Sequence, residues 1–220
     1  MTDAKWAALA DLGPTWGVER DENGLLTGDA LDQAFGRRAP RLLDIGVGTG
    51  EASQAWAAAH PDHDVLALEV HRPGLAQLLQ RLDADGPDNL RVLEADATRV
   101  LDDLVGPGSD DGESGRGVAT GFTAVRVLFP DPWPKVRHVG RRLVDPRFVR
   151  QVATLLRSGG TLHVATDWED YAAQVRDVIG AERRFDLDPE APRPPRPVTT
   201  YEQRGIDAGR AVTDLVAIRR

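Results

Sequence analysis

From residue 41 onward the chain alternates short apolar runs with helix-like stretches, and this period constrains the fold more than any other feature. Neighbouring parallel strands cannot be joined by a tight hairpin. They need a crossover of a dozen or more residues, usually a helix. The spacing predicts strands at residues 41–45, 64–69, 90–94, 124–129 and 161–166, with helices at 51–59, 74–84, 98–104, 146–156 and 168–179. Breakers fall between them at His60-Pro61-Asp62, Gly86-Pro87-Asp88 and Ser158-Gly159-Gly160. The expectation is an α/β fold: a mostly parallel sheet with helices on both faces. Residues 1–40 read as an N-terminal helical extension of two short helices packed outside the sheet, and 1–220 as a single domain. Residues 211–219 alternate partly and suit a last strand of either direction. Two segments read as irregular: 106–121, rich in Gly, Ser and Asp, as a flexible loop, and 189–197, with five prolines, as extended chain.

Composition narrows the class. Of the 220 residues 41% are hydrophobic, enough for a core. No apolar run approaches the ~18 residues of a membrane span, and the start Met1-Thr2-Asp3-Ala4-Lys5 lacks the pattern of a secretory signal. The absence of Cys excludes disulfides and thiolate metal ligands. A cytoplasmic protein without a membrane partner is expected. The net charge of −8 argues against a nucleic-acid partner, but the charges are segregated. Asp102, Asp103, Asp110, Asp111 and Glu113 form an acidic run that reads as solvated, whereas Lys135, Arg137, His138, Arg141 and Arg142 lie together without an acid. Screening confines charge effects to about 8–10 Å, so the local field decides.

The run Asp44-Ile45-Gly46-Val47-Gly48-Thr49-Gly50 follows the first expected strand and enters a helix. Any nucleotide-binding α/β fold can use such a turn, because glycines let a ligand approach the backbone closely. A dinucleotide fingerprint begun at Gly46 needs glycine at 51, and Glu51 stands there. No Gly-Lys-Ser/Thr follows, which excludes a phosphate-binding P-loop. An acid at a helix start repels pyrophosphate but tolerates a sulfonium cofactor without phosphate. Glu69 ends the second strand, where a carboxylate can take both ribose hydroxyls. Asp96, in Glu94-Ala95-Asp96-Ala97, follows the third, within reach of an adenine amino group. Ligands of open α/β sheets bind beyond the carboxyl ends of the strands. Taken singly these acids read equally well as helix caps; together they resemble the class I methyltransferase fold, a Rossmann-like, mostly parallel seven-stranded sheet.

The fourth strand runs into Phe129-Pro130-Asp131-Pro132-Trp133-Pro134-Lys135, a loop stiffened by three prolines. The strings FPDPWPKVRHVGRRL (129–143), TDWEDYA (166–172), TTYEQRG (199–205), DIGVGTGE (44–51) and LEVHRPG (68–74) closely resemble the bacterial tRNA (guanine-N7-)-methyltransferase family of class I S-adenosylmethionine-dependent enzymes. The resemblance runs from about residue 40 to the C-terminus. It implies transfer of a methyl group from S-adenosylmethionine to N7 of a guanine in the tRNA variable loop. It places Asp44, Gly46, Gly48, Gly50, Glu69, Asp96, Ala97 and Asp131 at the cofactor, with Asp131 also catalytic. Lys135, Asp167, Thr199, Thr200, Tyr201 and Glu202 fall at the target nucleoside, and Arg137, His138, Arg141 and Arg142 at tRNA. The family commonly has Glu at position 44, and its basic segment carries cations where this chain has Val136, Val139 and Gly140. No metal is implied, and a monomer or a homodimer would serve. Trp133 reads as a base-stacking platform or a packing anchor, His71 as a helix-capping or cofactor-rim residue, and the His60/His63 pair as lacking the further ligands a metal needs.

Overall fold

The computed structural model describes residues 1–106, 121–188 and 190–220, so the 106–121 loop lies, but for its two ends, outside the described residues. Five strands lie close to where the alternation puts them: β1 (Arg41–Ile45), β2 (Asp64–Glu69), β3 (Leu90–Glu94), β4 (Phe122–Leu128) and β5 (Leu156–Thr166). With β6 (Phe185–Asp188) and β7 (Thr213–Arg219) they form one seven-stranded sheet of order β3-β2-β1-β4-β5-β7-β6. β1 to β5 pair parallel, and β7 runs antiparallel between β5 and β6.

Among the described residues eight α-helices accompany the sheet: α1 (Asp3–Trp16), α2 (Gly28–Phe35), α3 (Glu51–Ala59), α4 (Arg72–Asp85), α5 (Ala97–Val105), α6 (Pro146–Leu155), α7 (Glu169–Ala181) and α8 (Thr200–Asp207). The period of two in the strands divides their side chains between two cores. Leu43, Ile45, Leu66 and Leu68 face one cluster, completed by α2, α5, α6 and α7; Leu42, Val65 and Ala67 face the other, completed by α3 and α4 with α1 outside. On α4, Leu75, Leu78, Leu79 and Leu82 recur at helical spacing and are all buried, each contributing about 1.5–3 kcal/mol. Helix starts follow their capping chemistry. Asp96, Asp145 and Thr199 accept from backbone N–H groups within the first turns of α5, α6 and α8.

Two expectations change. Ser158-Gly159-Gly160 does not separate a helix from a strand: α6 ends at Leu155 and β5 already begins at Leu156. β5 continues through it, and the pairing jumps from Phe122↔Leu156 to Ala124↔Thr161, so residues 157–160 bulge outward. Gly160 sits there because a Cβ would come within 3.1 Å of the Thr123 carbonyl oxygen. The acidic run is also not wholly solvated. Asp102 accepts from Arg147 and Gln151, both at 2.6 Å, and Asp103 pairs with Arg20; Asp110, Asp111 and Glu113 lie outside the described residues. No helix among the described residues is long and apolar enough to cross a membrane.

Candidate functional site

The sheet order reverses at β1, whose neighbours β2 and β4 lead away in opposite directions, and the glycine turn sits at the carboxyl end of β1 beside this switch point. Gly46, Gly48 and Gly50 all adopt left-handed φ (72°, 59° and 78°), which gives the turn its tight path. Glu69 locks it from the next strand. One carboxylate oxygen accepts from Gly48 N at 2.6 Å, and the other from Val70 N and His71 N at 2.8 and 2.7 Å. Glu51, opening α3, accepts from Thr49 and pairs with Arg81. Burial pushes its carboxyl up, but these two partners outweigh burial and hold it below the usual range. The helix start therefore carries a negative charge, which disfavours a phosphate ligand.

A cleft of about 290 Å³ opens at the ends of β2 and β3, lined by Arg20, Val70, Glu94, Ala95, Asp96 and Arg99. Asp96 caps α5 through Thr98 N at 2.8 Å, and the Thr98 hydroxyl bond lowers its carboxyl below the ordinary range. Ala97 follows, buried at the first turn. A larger cavity of about 1080 Å³ lies at the opposite ends of the strands, beside Pro40, Arg41, Gly121 and Thr123, away from the glycine turn. The donor set at the carboxyl end fits an adenosyl sulfonium cofactor: close-approach glycines on a turn that Glu69 holds from within, Asp96 at the end of β3, and an acidic rather than basic helix start.

Asp44 stands differently from its expected role. It is buried on β1 and paired with Arg126, its register partner on β4, and it also accepts from Ser53 Oγ at 2.6 Å. Both of its oxygens are thus engaged inside the sheet. It ties β1 to β4 and to the first turn of α3, the elements on either side of the glycine turn.

The Asp131 loop leaves the carboxyl end of β4 with Phe129 N donating to Ala165 O of β5 at 2.7 Å. Phe129 and Trp133 both take left-handed φ (53° and 43°), which costs bulky residues about 1–3 kcal/mol each. Asp131, between them, is exposed. Beyond it a 3₁₀ turn over Val136–Arg141 presents Lys135, Arg137 and Arg141 to solvent. Arg141 lies 5.0 Å over the Trp133 ring and His138 meets it edge-on at 5.8 Å, so Trp133 anchors the basic segment.

Arg142 leaves that segment. Its buried guanidinium donates to Pro132 O, Gln174 and Asp170 at 2.8, 2.7 and 2.6 Å and covers Tyr171, which removes it from any phosphate. Burial raises the Tyr171 phenol to about 12.

The C-terminal segment folds over the same end of the sheet. The Tyr201 ring lies on the glycine turn, where a Cβ on Gly48 would sit 2.9 Å from it. Thr200 is exposed beside it, while the Thr199 hydroxyl caps α8 through Glu202 N at 3.2 Å. Glu202 is fully buried and ion-paired with Arg193 and Arg196, not open to a ligand. Asp167, after β5, packs against Gly205 of α8 and accepts from Arg210 Nε at 2.7 Å. The fold thus gathers Gly48, Asp131, Asp167 and Tyr201 at one end of the sheet, and turns Asp44, Arg142, Thr199 and Glu202 to internal partners. His71 occupies the first position before α4 without a side-chain cap, and His60 stacks on Trp56 with His63 at its edge. Sequence analysis missed Arg126 and His163, though a polar residue inside an apolar strand is the signal of a buried partner; Arg193 and Arg196 had no such signal within their proline-rich context.

A family described as "Putative methyltransferase" matches residues 38–215. The tRNA (guanine-N(7)-)-methyltransferase of Alkalilimnicola ehrlichii is 44% identical over 229 residues, covering 100% of this chain and 89% of the relative. Those of Halorhodospira halophila and Streptomyces avermitilis are 43% and 44% identical, covering 98% of this chain in each case and 89% and 71% of the relative. Among solved structures, the 16S rRNA methyltransferase KamB aligns with a TM-score of 0.59 at 20% identity, over 92% of this chain and 99% of that one, a likeness of class I methyltransferase fold alone. On the sequence relationships, this chain belongs to the tRNA (guanine-N(7)-)-methyltransferase family.

Proposed function

We infer that this protein transfers the methyl group of S-adenosylmethionine to N7 of a guanine in the variable loop of tRNA. The observation that carries the reading is the meeting of three distant segments at one end of the sheet: the glycine turn, the Asp131 loop and Tyr201, whose ring lies on Gly48. A base entering beside Tyr201 comes up against the cofactor turn itself.

S-adenosylmethionine, when bound, supplies a methyl group on a sulfonium centre, an electrophile open to a neutral purine nitrogen. Gly46, Gly48, Gly50, Glu69, Asp96 and Ala97 line the end of the sheet that would hold it. Guanine N7 has an in-plane lone pair and no proton, so the chain need supply no strong base. Its task is orientation and compensation of the positive charge that the methylated ring acquires. Asp131, exposed on a stiff loop, provides the carboxylate for that charge. Asp167 stands ready to accept from guanine N1–H and N2–H, and is already aimed by Arg210. Lys135, Arg137 and Arg141 supply phosphate attraction, His138 flanks them, and Thr200 and Tyr201 frame the nucleoside.

The test is incubation with methyl-labelled S-adenosylmethionine and bulk tRNA, followed by nucleoside digestion. Label in 7-methylguanosine is expected; label in protein, in another nucleoside or nowhere refutes the reading.

A further inference from the structure

The proline-rich stretch 189–197 reads from sequence as extended chain, yet Arg196 within it reaches three separate parts of the fold. Arg196 has a side chain only 1% exposed. Its Nη1 donates to Glu202 of α8, and its Nη2 donates to Asp214 of β7 at 3.1 Å. Its guanidinium lies 5.3 Å from the ring centroid of Phe129, the left-handed residue that launches the Asp131 loop. Each partner is held independently: Glu202 also receives Arg193, Asp214 is bonded to His163 of β5 at 2.7 Å, and Phe129 N is tied to Ala165 O.

Resting on the methyl-transfer reading above, we propose that Arg196 is a positioning residue for the reaction. It couples the Asp131 loop to the segment bearing Thr200 and Tyr201. These are two sides of one site, separated by some seventy residues of chain, and among the described residues no sheet pairing joins one to the other. A guanidinium suits this role because its planar fork serves two carboxylates while its face stacks on a ring. A lysine ammonium can satisfy one carboxylate well but offers no face to Phe129. Displacement of a reacting group by an ångström can cost about 10²-fold in rate, so a loosened coupling appears first in turnover.

The test compares wild type with Arg196→Lys, Phe129→Leu and the double variant. Melting temperature, the dissociation constant for S-adenosylmethionine, and kcat and KM on tRNA are measured for each. The expected result is a fall in kcat of about tenfold or more in each single variant, with cofactor affinity within about twofold of wild type. The double variant should be no slower than the worse single, because both break the same link. A role in stability alone would lower the melting temperature and leave kcat in place. Should Arg196→Lys fail to fold, Phe129→Leu, which leaves the ion pairs intact, decides the matter. Wild-type kcat in Phe129→Leu, or effects that multiply in the double variant, overturns the proposal. A wild-type enzyme that makes no 7-methylguanosine overturns both the functional reading and this proposal; an active wild type with unaffected variants overturns only the latter.

Discussion

Substitution of Asp44 by asparagine separates two roles that a carboxylate beneath a glycine turn can have. The side chain is about 3% exposed and its partner Arg126 about 5%, so the pair is shielded from solvent screening. A neutral amide in place of the carboxylate would leave a buried guanidinium without its counter-charge, and breaking a buried pair from one side typically costs about 3–5 kcal/mol. For a domain of this size each kcal/mol moves the melting temperature by about 2–4 °C, so Asp44→Asn should melt about 6–20 °C below wild type. Removing both charges is a different perturbation. Asp44→Leu combined with Arg126→Met leaves no orphaned ion and should recover most of that loss. Differential scanning calorimetry on wild type, the single and the double variant, with isothermal titration of S-adenosylmethionine, provides the measurement. If Asp44→Asn melts within about 2 °C of wild type while cofactor affinity falls tenfold, a loss of about 1.4 kcal/mol in binding, the bracing argument is wrong and Asp44 is a cofactor ligand.

Asp131→Ala should lower kcat at saturating tRNA by about 10²–10³-fold, the range for removing one preorganised electrostatic group; near-normal turnover would sink its assignment. Arg137→Ala should flatten the dependence of log affinity on log salt by about one unit with an unchanged melting temperature. Arg142→Ala, whose charge is buried, should instead lower the melting temperature and leave the salt slope as it was. Asp214 gives a pH dependence. Burial opposes its charge, but the His163 hydrogen bond and Arg196 outweigh burial and bring its carboxyl below the ordinary range. Its contribution to stability is therefore complete above the unfolded carboxylate value of about 4 and is lost as pH falls through the lower folded value. Denaturation midpoints between pH 6 and pH 3 should drop less steeply in Asp214→Asn than in wild type, and parallel curves would refute the claim.

The five parallel strands were legible because each is a buried apolar run flanked by breakers, and burial on both faces leaves few other readings. β6 was not. Phe185-Asp186-Leu187-Asp188 is four residues with two acids, and it becomes a strand only because β7 offers an edge to pair with. The bulge at residues 157–160 was hidden for a related reason: Gly-Gly signals a turn, and only the partner strand shows that pairing already begins before it, at Leu156. At the site, motif strings located the right end of the sheet but not what each side chain does there. Arg142 sits among exposed cations in sequence, yet Asp170 and Gln174, about thirty residues away, draw it inward. Glu202 looks like a ligand-facing acid until Arg193 and Arg196 arrive from a stretch whose prolines conceal any period.

The left-handed residues Phe129 and Trp133 carry a consequence for how such an enzyme can be altered. Glycine at either would relieve the backbone but give up the ring's contacts, to Arg196 at Phe129 and to Arg141 and His138 at Trp133. The same glycine would free the hinge on which Asp131 is presented, and with it the spacing to Tyr201. At these two residues backbone ease is set against the ring contacts that fix where Asp131 is presented, so a substitution that rests the chain is expected to loosen the site.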